Sequence, residues 1–303
     1  MFKKKTYNAL IDSNHGLPNH GLSSNHDISD EQLMDYPNTT SIVKNQYIFI
    51  DENKNRNDFN KLMFLLFDQR EPNRLKKIAT YVMCMNMKGE NHITPLMMAA
   101  KMARGDESMR ILEYVLVNSD VNEIDAQDSE GRSALMYACL NVDTTSSIEA
   151  CHTLLKRGAN PNLLDDKGCN SMMLYALNYK SGNSIALIQM LINNNVNIFQ
   201  SSTNNRLNAI MIACKRYEFT HDTKLITQLL AAGANINQRD RDGNTALMQL
   251  CSGNIDENID LIKIFIDRKA NVEISNNYGE TVYDMLFAQR SDKKNDIINM
   301  FIK

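Results

Sequence analysis

Apolar and polar positions alternate along this chain in a pattern that returns every 36 to 39 residues. Each copy has a hydroxyl or amide residue, a short apolar run and a second apolar segment ending in an Asn-rich turn. The opening residues are Thr94, Ser133, Asn170, Asn208, Thr245 and Thr281, at spacings of 39, 37, 38, 37 and 36 residues. The closing turns lie at 158–162, 195–197, 233–237 and 269–272. Two motifs held in fixed phase over several copies predict a repeat architecture.

The residue types within each copy predict two helices and a turn. Thr, Ser and Asn cap helix N-termini, and Pro95 stands at a first helical position, where its missing N–H costs little. Gly158 and Gly233 follow leucine-rich segments and suit the left-handed residue that ends a helix. Small residues stand six positions after each cap, on the predicted contact face: Ala100, Cys139, Ala176, Cys214 and Cys251. No single copy can bury its apolar face alone, so we expect the copies to stack.

Two stretches resemble the consensus of the ankyrin-repeat family. Thr94-Pro95-Leu96 matches the opening T-P-L of that repeat, and residues 154–160 match its closing L-L-x-x-G-A-N. The resemblance implies an all-α fold, an ankyrin-repeat solenoid of stacked helix-turn-helix units with β-turn fingers. We expect about five clear repeats, at 89–127, 128–165, 166–202, 203–239 and 240–276. Within a solenoid at 57–303, degenerate repeats at 57–88 and 277–303 are expected to cap the two ends.

Residues 1–56 differ from the rest and are expected to form a polar, partly disordered region. Within it, residues 46–50 have the composition of a short strand or of an anchor on the first repeat. His15, His20 and His26 have the spacing of neither one helix face nor a zinc site, so we expect no metal there. Apolar periodicity then predicts two helices, at 59–68 and 75–85.

Composition and charge narrow the range of functions. The 303 residues are 43% hydrophobic and 23% charged, as in an ordinary globular protein. The 33 Lys and Arg against 36 Asp and Glu give a net charge of −3, which argues against nucleic-acid binding. No apolar run approaches the roughly 20 residues of a membrane-spanning helix, and polar residues interrupt any secretion signal. We therefore expect an intracellular protein that does not associate with membranes.

The sequence contains no motif for catalysis or for a cofactor. Phosphate-binding loops, a nucleophile elbow and H-E-x-x-H are absent, and the six cysteines form no C-x-x-C. The finger carboxylates Asp165, Asp166, Asp240 and Asp242 are expected at wet turn tips, which do not suit acid–base catalysis. Cys169 also falls on a predicted finger, a position that allows solvent exposure, and we expect its thiol to be inert. We predict no enzyme activity, no cofactor and no metal.

One departure from the family concerns the position at which its repeats carry His. Five copies here carry Met instead: Met97, Met136, Met173, Met211 and Met248. We interpret these methionines as polarizable core residues at helix interfaces. Because His at this position links neighbouring fingers by hydrogen bonds, its absence predicts fingers that are less rigid than in the family.

The function that remains is protein binding. The resemblance implies partner contacts from the finger turns and from the exposed side of each first helix, which together form a long concave surface. Charged and aromatic residues at those positions are the expected anchors, because binding hot spots favour such side chains. The candidates are Arg132, Lys167, Lys215, Arg216, Arg241, Asp242 and Tyr278. We predict a monomeric scaffold or adaptor for a protein partner.

The abundance of Asn, Ile and Met makes the chain similar in style to ankyrin proteins encoded by large DNA viruses of amoebae. That similarity implies a host protein as partner and the host cytoplasm as location. The family also suggests an alternative function, in which the stack is a substrate or decoy for a host asparaginyl hydroxylase or another host factor. The modification candidates are Asn162, Asn197 and Asn237.

Overall fold

The computed structural model describes residues 52–142, 145–180 and 185–301, in which the chain forms successive helix pairs. The helices are α1 Glu52–Phe67, α2 Arg74–Ala79, α3 Pro95–Lys101, α4 Asp106–Asn118, α5 Ala134–Leu140, α6 Thr145–Lys156, α7 Ser171–Leu177, α8 Ile185–Asn193, α9 Ala209–Thr220, α10 Lys224–Ala231, α11 Ala246–Ser252, α12 Ile255–Asp267, α13 Val282–Phe287 and α14 Lys294–Phe301. Short 3-10 turns lie at Val82–Cys84, Glu90–His92 and Val121–Glu123. The predicted strand at 46–50 and the three N-terminal histidines lie outside the described residues.

Helices pack on their counterparts in the neighbouring repeat, as the resemblance implied. The first helices of successive repeats are α3, α5, α7, α9, α11 and α13, and each contacts the next. Second helices pack in the same way from α4 to α6, from α6 to α8, from α8 to α10 and from α12 to α14. The pair α1–α2 stacks on α3 and α4 like one more repeat. Each pair thereby buries the apolar face that it could not bury alone.

The predicted capping residues close the start of every first helix from α3 to α11. In each case a side-chain oxygen accepts a hydrogen bond from the backbone N–H of the Met three residues later, at 2.9 to 3.4 Å. The five methionines are at most 1% exposed, which confirms them as core residues. The Sδ atoms of Met97 and Met248 also accept from the N–H of their capping residue at 3.4 Å. These methionines therefore join the core to the helix caps.

The N-terminal helix pair differs from the predicted helices at 59–68 and 75–85. α1 begins at Glu52, ahead of the predicted start at residue 59, and its first turns are polar, so apolar periodicity did not indicate them. α2 ends at Ala79, where the Thr80 hydroxyl donates back to the Lys77 carbonyl at 2.7 Å. The first residue of α2 is Arg74, whose buried side chain donates to the carbonyls of Leu65 and Leu66 in α1, each at 3.1 Å. A buried guanidinium thus closes the end of α1.

All six cysteines are buried. Cys139, Cys214 and Cys251 are at most 2% exposed, at the contact positions where the sequence places small residues. Cys169 is also buried, with 5% of its surface exposed, so the solvent exposure that its finger position allowed does not occur. Burial raises the pKa of the Cys169 thiol to about 11, which favours the unreactive protonated form.

Candidate protein-binding groove

A buried Asp or Asn begins four of the finger turns. These residues are Asp128, Asp165, Asp240 and Asn276. The Oδ1 atom of each accepts hydrogen bonds from the backbone N–H groups two and four residues later, at 2.8 to 3.0 Å. Asp165 and Asp240 therefore organise their turns, which corrects their predicted place at wet turn tips. Of the four predicted finger carboxylates, Asp166 and Asp242 are exposed.

Backbone hydrogen bonds join each finger to the next. A backbone N–H of one finger donates to a carbonyl of the preceding finger in five successive steps. The pairs are Ser129–Asn91, Asp166–Glu130, Thr203–Lys167, Arg241–Asn205 and Asn277–Asp242, at 2.8 to 2.9 Å. This ladder links the fingers through main-chain groups without any His side chain. The expectation of fingers less rigid than in the family stays a prediction. The fingers form a hydrogen-bonded platform for the side chains they carry.

A groove of about 460 Å³ lies where α9 meets two successive fingers. α9 has 12 residues, whereas each of the first helices α3, α5, α7 and α11 has seven, so it extends past its neighbours. The lining residues are Asn205 and Leu207 of one finger, Asp240, Arg241 and Asp242 of the next, and Lys215 of α9. Three predicted anchors, Lys215, Arg241 and Asp242, are thereby brought together.

The charges in this groove differ in how far they are already satisfied. Asp240 accepts two backbone hydrogen bonds at Oδ1 and one from Gln249 Nε2 at Oδ2, at 2.9 Å. Lys215, Arg241 and Asp242 are exposed, and none of the three forms an ion pair with any part of the chain that the structure describes. Two cations and one carboxylate are therefore available to a partner.

Arg132 does not lie in the groove and is already paired. Its Nη2 atom is 2.6 Å from Glu130 Oε2, on the same finger. The neighbouring Tyr137 hydroxyl donates to Asp128 Oδ2 at 2.6 Å and ties the finger to α5. Burial, reinforced by this hydrogen bond to a carboxylate, raises the pKa of Tyr137 well above its ordinary value. Glu130 is therefore the ion-pair partner of Arg132, and a bound protein would have to compete with Glu130 for this side chain.

The end of α9 carries an aromatic residue that the sequence reasoning did not include. Phe219 is 74% exposed, and the Arg216 guanidinium lies 5.4 Å from its ring centroid. Arg216 also donates to the Tyr179 carbonyl of the preceding repeat through Nε at 3.4 Å and Nη2 at 3.2 Å. Phe219 stands four residues after Lys215, so the two share a helix face only because α9 continues beyond the seven residues of the other first helices. The sequence pattern did not indicate this longer helix.

Lys167 and Tyr278 are exposed on other fingers. Lys167 belongs to the finger before the groove, and its carbonyl accepts from Thr203 N–H at 2.8 Å. Tyr278 belongs to the finger after the groove and is 74% exposed. The predicted anchors therefore form one central group, with Arg132 and Lys167 on the fingers before it and Tyr278 on the finger after it.

The three modification candidates are engaged in hydrogen bonds to different extents. Asn162 bridges to the next repeat, donating to the Asn195 carbonyl at 2.9 Å and accepting from Asn197 N–H at 2.6 Å. Asn237 accepts from Asn271 N–H at 2.8 Å. Asn197 accepts from Phe199 N–H at 3.0 Å, within its own turn. Hydroxylation of these residues stays a prediction.

The described part of the chain holds no group of three His, Cys, Asp or Glu side chains arranged for a metal ion. Of the helices in the described ranges, none is long and apolar enough to cross a membrane.

Comparisons with known proteins agree with this fold. A family model described as ankyrin repeats, in three copies, matches residues 54–165. Two putative ankyrin repeat proteins of Acanthamoeba polyphaga mimivirus are 32% and 26% identical over 55% and 59% of this chain. An ankyrin repeat protein of Variola virus is 28% identical over 58% of it. These matches span only 25%, 27% and 31% of the relatives' own lengths.

Two solved structures have a similar fold. The crystal structure of the ankyrin repeat domain of Bcl-3, a member of the IkappaB protein family, gives a TM-score of 0.62 at 16% identity. That match covers 78% of this chain and 97% of the other. A structure of a predatory endopeptidase from Bdellovibrio bacteriovorus in complex with an immunity protein gives a TM-score of 0.50 at 18% identity. It covers 71% of this chain and 96% of the matched one.

Proposed function

Since this chain carries an ankyrin-repeat domain, a fold known as a protein–protein interaction module, we propose that it is a non-enzymatic adaptor or scaffold. Its partner is a protein, bound at the finger turns and first helices of the repeats between α7 and α12. The mimivirus and Variola virus relatives favour a host protein as that partner and the host cytoplasm as the place of encounter.

The observation that carries this proposal is the groove between α9 and its two fingers. It gathers three exposed charged side chains, Lys215, Arg241 and Asp242, on a platform fixed by backbone hydrogen bonds. Because the backbone of the fingers is already hydrogen-bonded in the free protein, less main-chain entropy is lost on binding. Exposed charges without internal partners can pair across an interface at no cost in lost intramolecular bonds.

Affinity capture with a groove variant tests this proposal. The full chain and the triple variant Lys215→Ala/Arg241→Ala/Asp242→Ala are used as baits in a lysate of amoeba cells, with quantitative mass spectrometry of the bound proteins. We expect the protein enriched by the unchanged chain to fall at least about tenfold with the variant, which corresponds to about 1.4 kcal/mol.

A matched control carries the same charge changes on second helix α6 and its end: Glu149→Ala/Lys156→Ala/Arg157→Ala. These three residues are exposed and lie away from the fingers, so this variant should retain the captured protein. Equal capture by the groove variant and the unchanged chain would place the binding site elsewhere on the protein. Circular dichroism of all three baits checks that the helices are intact.

A further inference from the structure

We propose that the groove between α9 and its fingers accepts a short partner segment in which a carboxylate side chain neighbours an apolar one. This inference rests on the proposed function and adds the chemistry of the partner. The groove is lined by Asn205, Leu207, Lys215, Asp240, Arg241 and Asp242, and Phe219 lies four residues after Lys215 on α9.

The charges in the groove favour an acidic segment. Lys215 of α9 and Arg241 of the second finger are exposed cations that both line the groove, and neither has an ion-pair partner among the described residues. Of the two lining carboxylates, Asp240 is buried and already accepts three hydrogen bonds, which leaves Asp242 as the one available to a partner. An arginine next to a lysine is a good receptor for one carboxylate, through paired N–H donors and a point charge. The sequence as a whole has a net charge of −3, so this cationic pair is a local feature.

The same carboxylates argue against a basic segment and against a phosphorylated one. A basic segment would face two cations and find one available acceptor. A phosphate carries nearly two negative charges and would lie beside Asp240 and Asp242, where like charges disfavour it more than they disfavour a single carboxylate. A side chain with a single negative charge, such as Asp or Glu, therefore suits a groove that has two cations and two carboxylates in its lining.

The apolar half of the proposed segment would lie on Phe219. Lys215 and Phe219 are four residues apart on α9, so their Cβ atoms stand roughly 5 to 6 Å apart on one helix face. Phe219 is 74% exposed, and the Arg216 guanidinium packs 5.4 Å from its ring centroid while bonded to the Tyr179 carbonyl. Arg216 thereby connects the aromatic ring to the preceding repeat. An exposed aromatic ring beside a fixed Arg has the character of a binding hot spot.

Peptide selection on the full chain tests this inference directly. A random dodecapeptide library displayed on phage is panned against the unchanged chain, the variant Lys215→Glu/Arg241→Glu and the control Lys156→Glu/Arg157→Glu. We expect the unchanged chain and the control to enrich peptides with Asp or Glu next to an aromatic or aliphatic residue. The groove variant should lose these peptides and enrich peptides rich in Lys or Arg, because its charges are reversed.

The selected peptide is then synthesised with a fluorophore, and its affinity is measured by polarisation. Groove charge reversal should weaken binding by at least about tenfold, and Phe219→Ser should weaken it by several fold. Changing the acidic residue to phosphoserine should weaken binding as well. Tighter binding of the phosphopeptide, enrichment of basic peptides by the unchanged chain, or no enrichment at all would each overturn the inference.

The two proposals fail in different ways. If the triple alanine variant loses the captured protein but selection shows no acidic preference, protein binding at the groove stands and the acidic segment is wrong. If the triple alanine variant keeps the captured protein, the groove is not the binding site and both proposals fall.

Discussion

At the scale of single residues, finger turns are held by side-chain hydrogen bonds and helix ends by residues with a left-handed backbone. Asp128, Asp165 and Asp240 hold their turns by accepting backbone hydrogen bonds. Two positions beyond the ends of α6, α8, α10 and α12 the chain has a left-handed residue, and the first and third of these helices use Gly158 and Gly233 there. A non-glycine residue pays a steric penalty at the same place, because its Cβ crowds the backbone.

Lys269 occupies this left-handed position after α12, with a φ of 58°. We expect Lys269→Gly to raise the free energy of unfolding by about 1 kcal/mol, since the steric cost is removed and exceeds the extra flexibility of glycine in the unfolded chain. Urea denaturation followed by circular dichroism measures the change. Lys263→Gly, at an exposed position inside α12, is the control and should instead destabilise by about 1 kcal/mol. A loss of stability with Lys269→Gly would contradict the assignment of strain.

At the scale of elements, ends and lengths of helices set the shape of the surface. α9 extends beyond the other first helices and carries exposed Phe219 four residues after the groove residue Lys215, while Arg216 donates to the Tyr179 carbonyl of the preceding repeat. α1 ends where Arg74 donates to the carbonyls of Leu65 and Leu66. In both helices a hydrogen bond to another part of the chain holds the residues near the helix end.

Arg74 supplies the second stability prediction. Arg74→Met keeps most of the buried volume but removes both hydrogen bonds, leaving two buried carbonyls without these donors. We expect a loss of about 3 kcal/mol, measured by urea denaturation. Arg70→Met serves as the control, because Arg70 is exposed and its contact with Asp68 spans 3.7 Å at the surface. Its expected change is within about 0.5 kcal/mol. Similar losses in both variants would show that Arg74 does not close α1.

At the scale of the whole molecule, stability comes from contacts between neighbouring repeats. Buried Cys214 and Cys251 lie on these contact faces, and Cys169 is buried within a finger turn. Burial raises the pKa of Cys169 to about 11 and that of Cys251 to about 12, and it also raises the pKa of Cys214. The folded stack therefore keeps these thiols protonated at a pH where the unfolded chain has lost the protons.

Alkaline pH should therefore destabilise the stack. Stability is unaffected by these thiols below about pH 9, and it falls as pH rises towards their raised pKa values in the folded state, because the unfolded state binds fewer protons. Each such thiol contributes about 1.4 kcal/mol per pH unit in that window. Thermal melting between pH 8 and pH 10.5 measures the slope. In Cys251→Ala the pH dependence of the free energy of unfolding should decrease by the equivalent of about one proton. Alanine is a suitable replacement because it is the residue at the equivalent position in two repeats, Ala100 and Ala176. An unchanged slope would show that Cys251 does not contribute.

The sequence by itself determined the repeat, its phase and the local structure of each unit. Caps such as Thr94 and Asn208 and the left-handed Gly158 and Gly233 act through neighbours within a few residues, so their roles can be read along the chain. The small residues at contact positions follow from the same period. A fixed period also placed Lys215, Arg241 and Asp242 on fingers and first helices.

Tertiary structure alone decided which of these residues come together. The ladder between fingers joins backbone groups 35 to 38 residues apart, and no side-chain identity signals it. The burial of Asp240 and Cys169, the pairing of Arg132 with Glu130 and the exposure of Phe219 depend on how adjacent repeats pack. Short-range preferences fix the unit, whereas contacts between units decide which charges are satisfied within the fold and which remain for a partner.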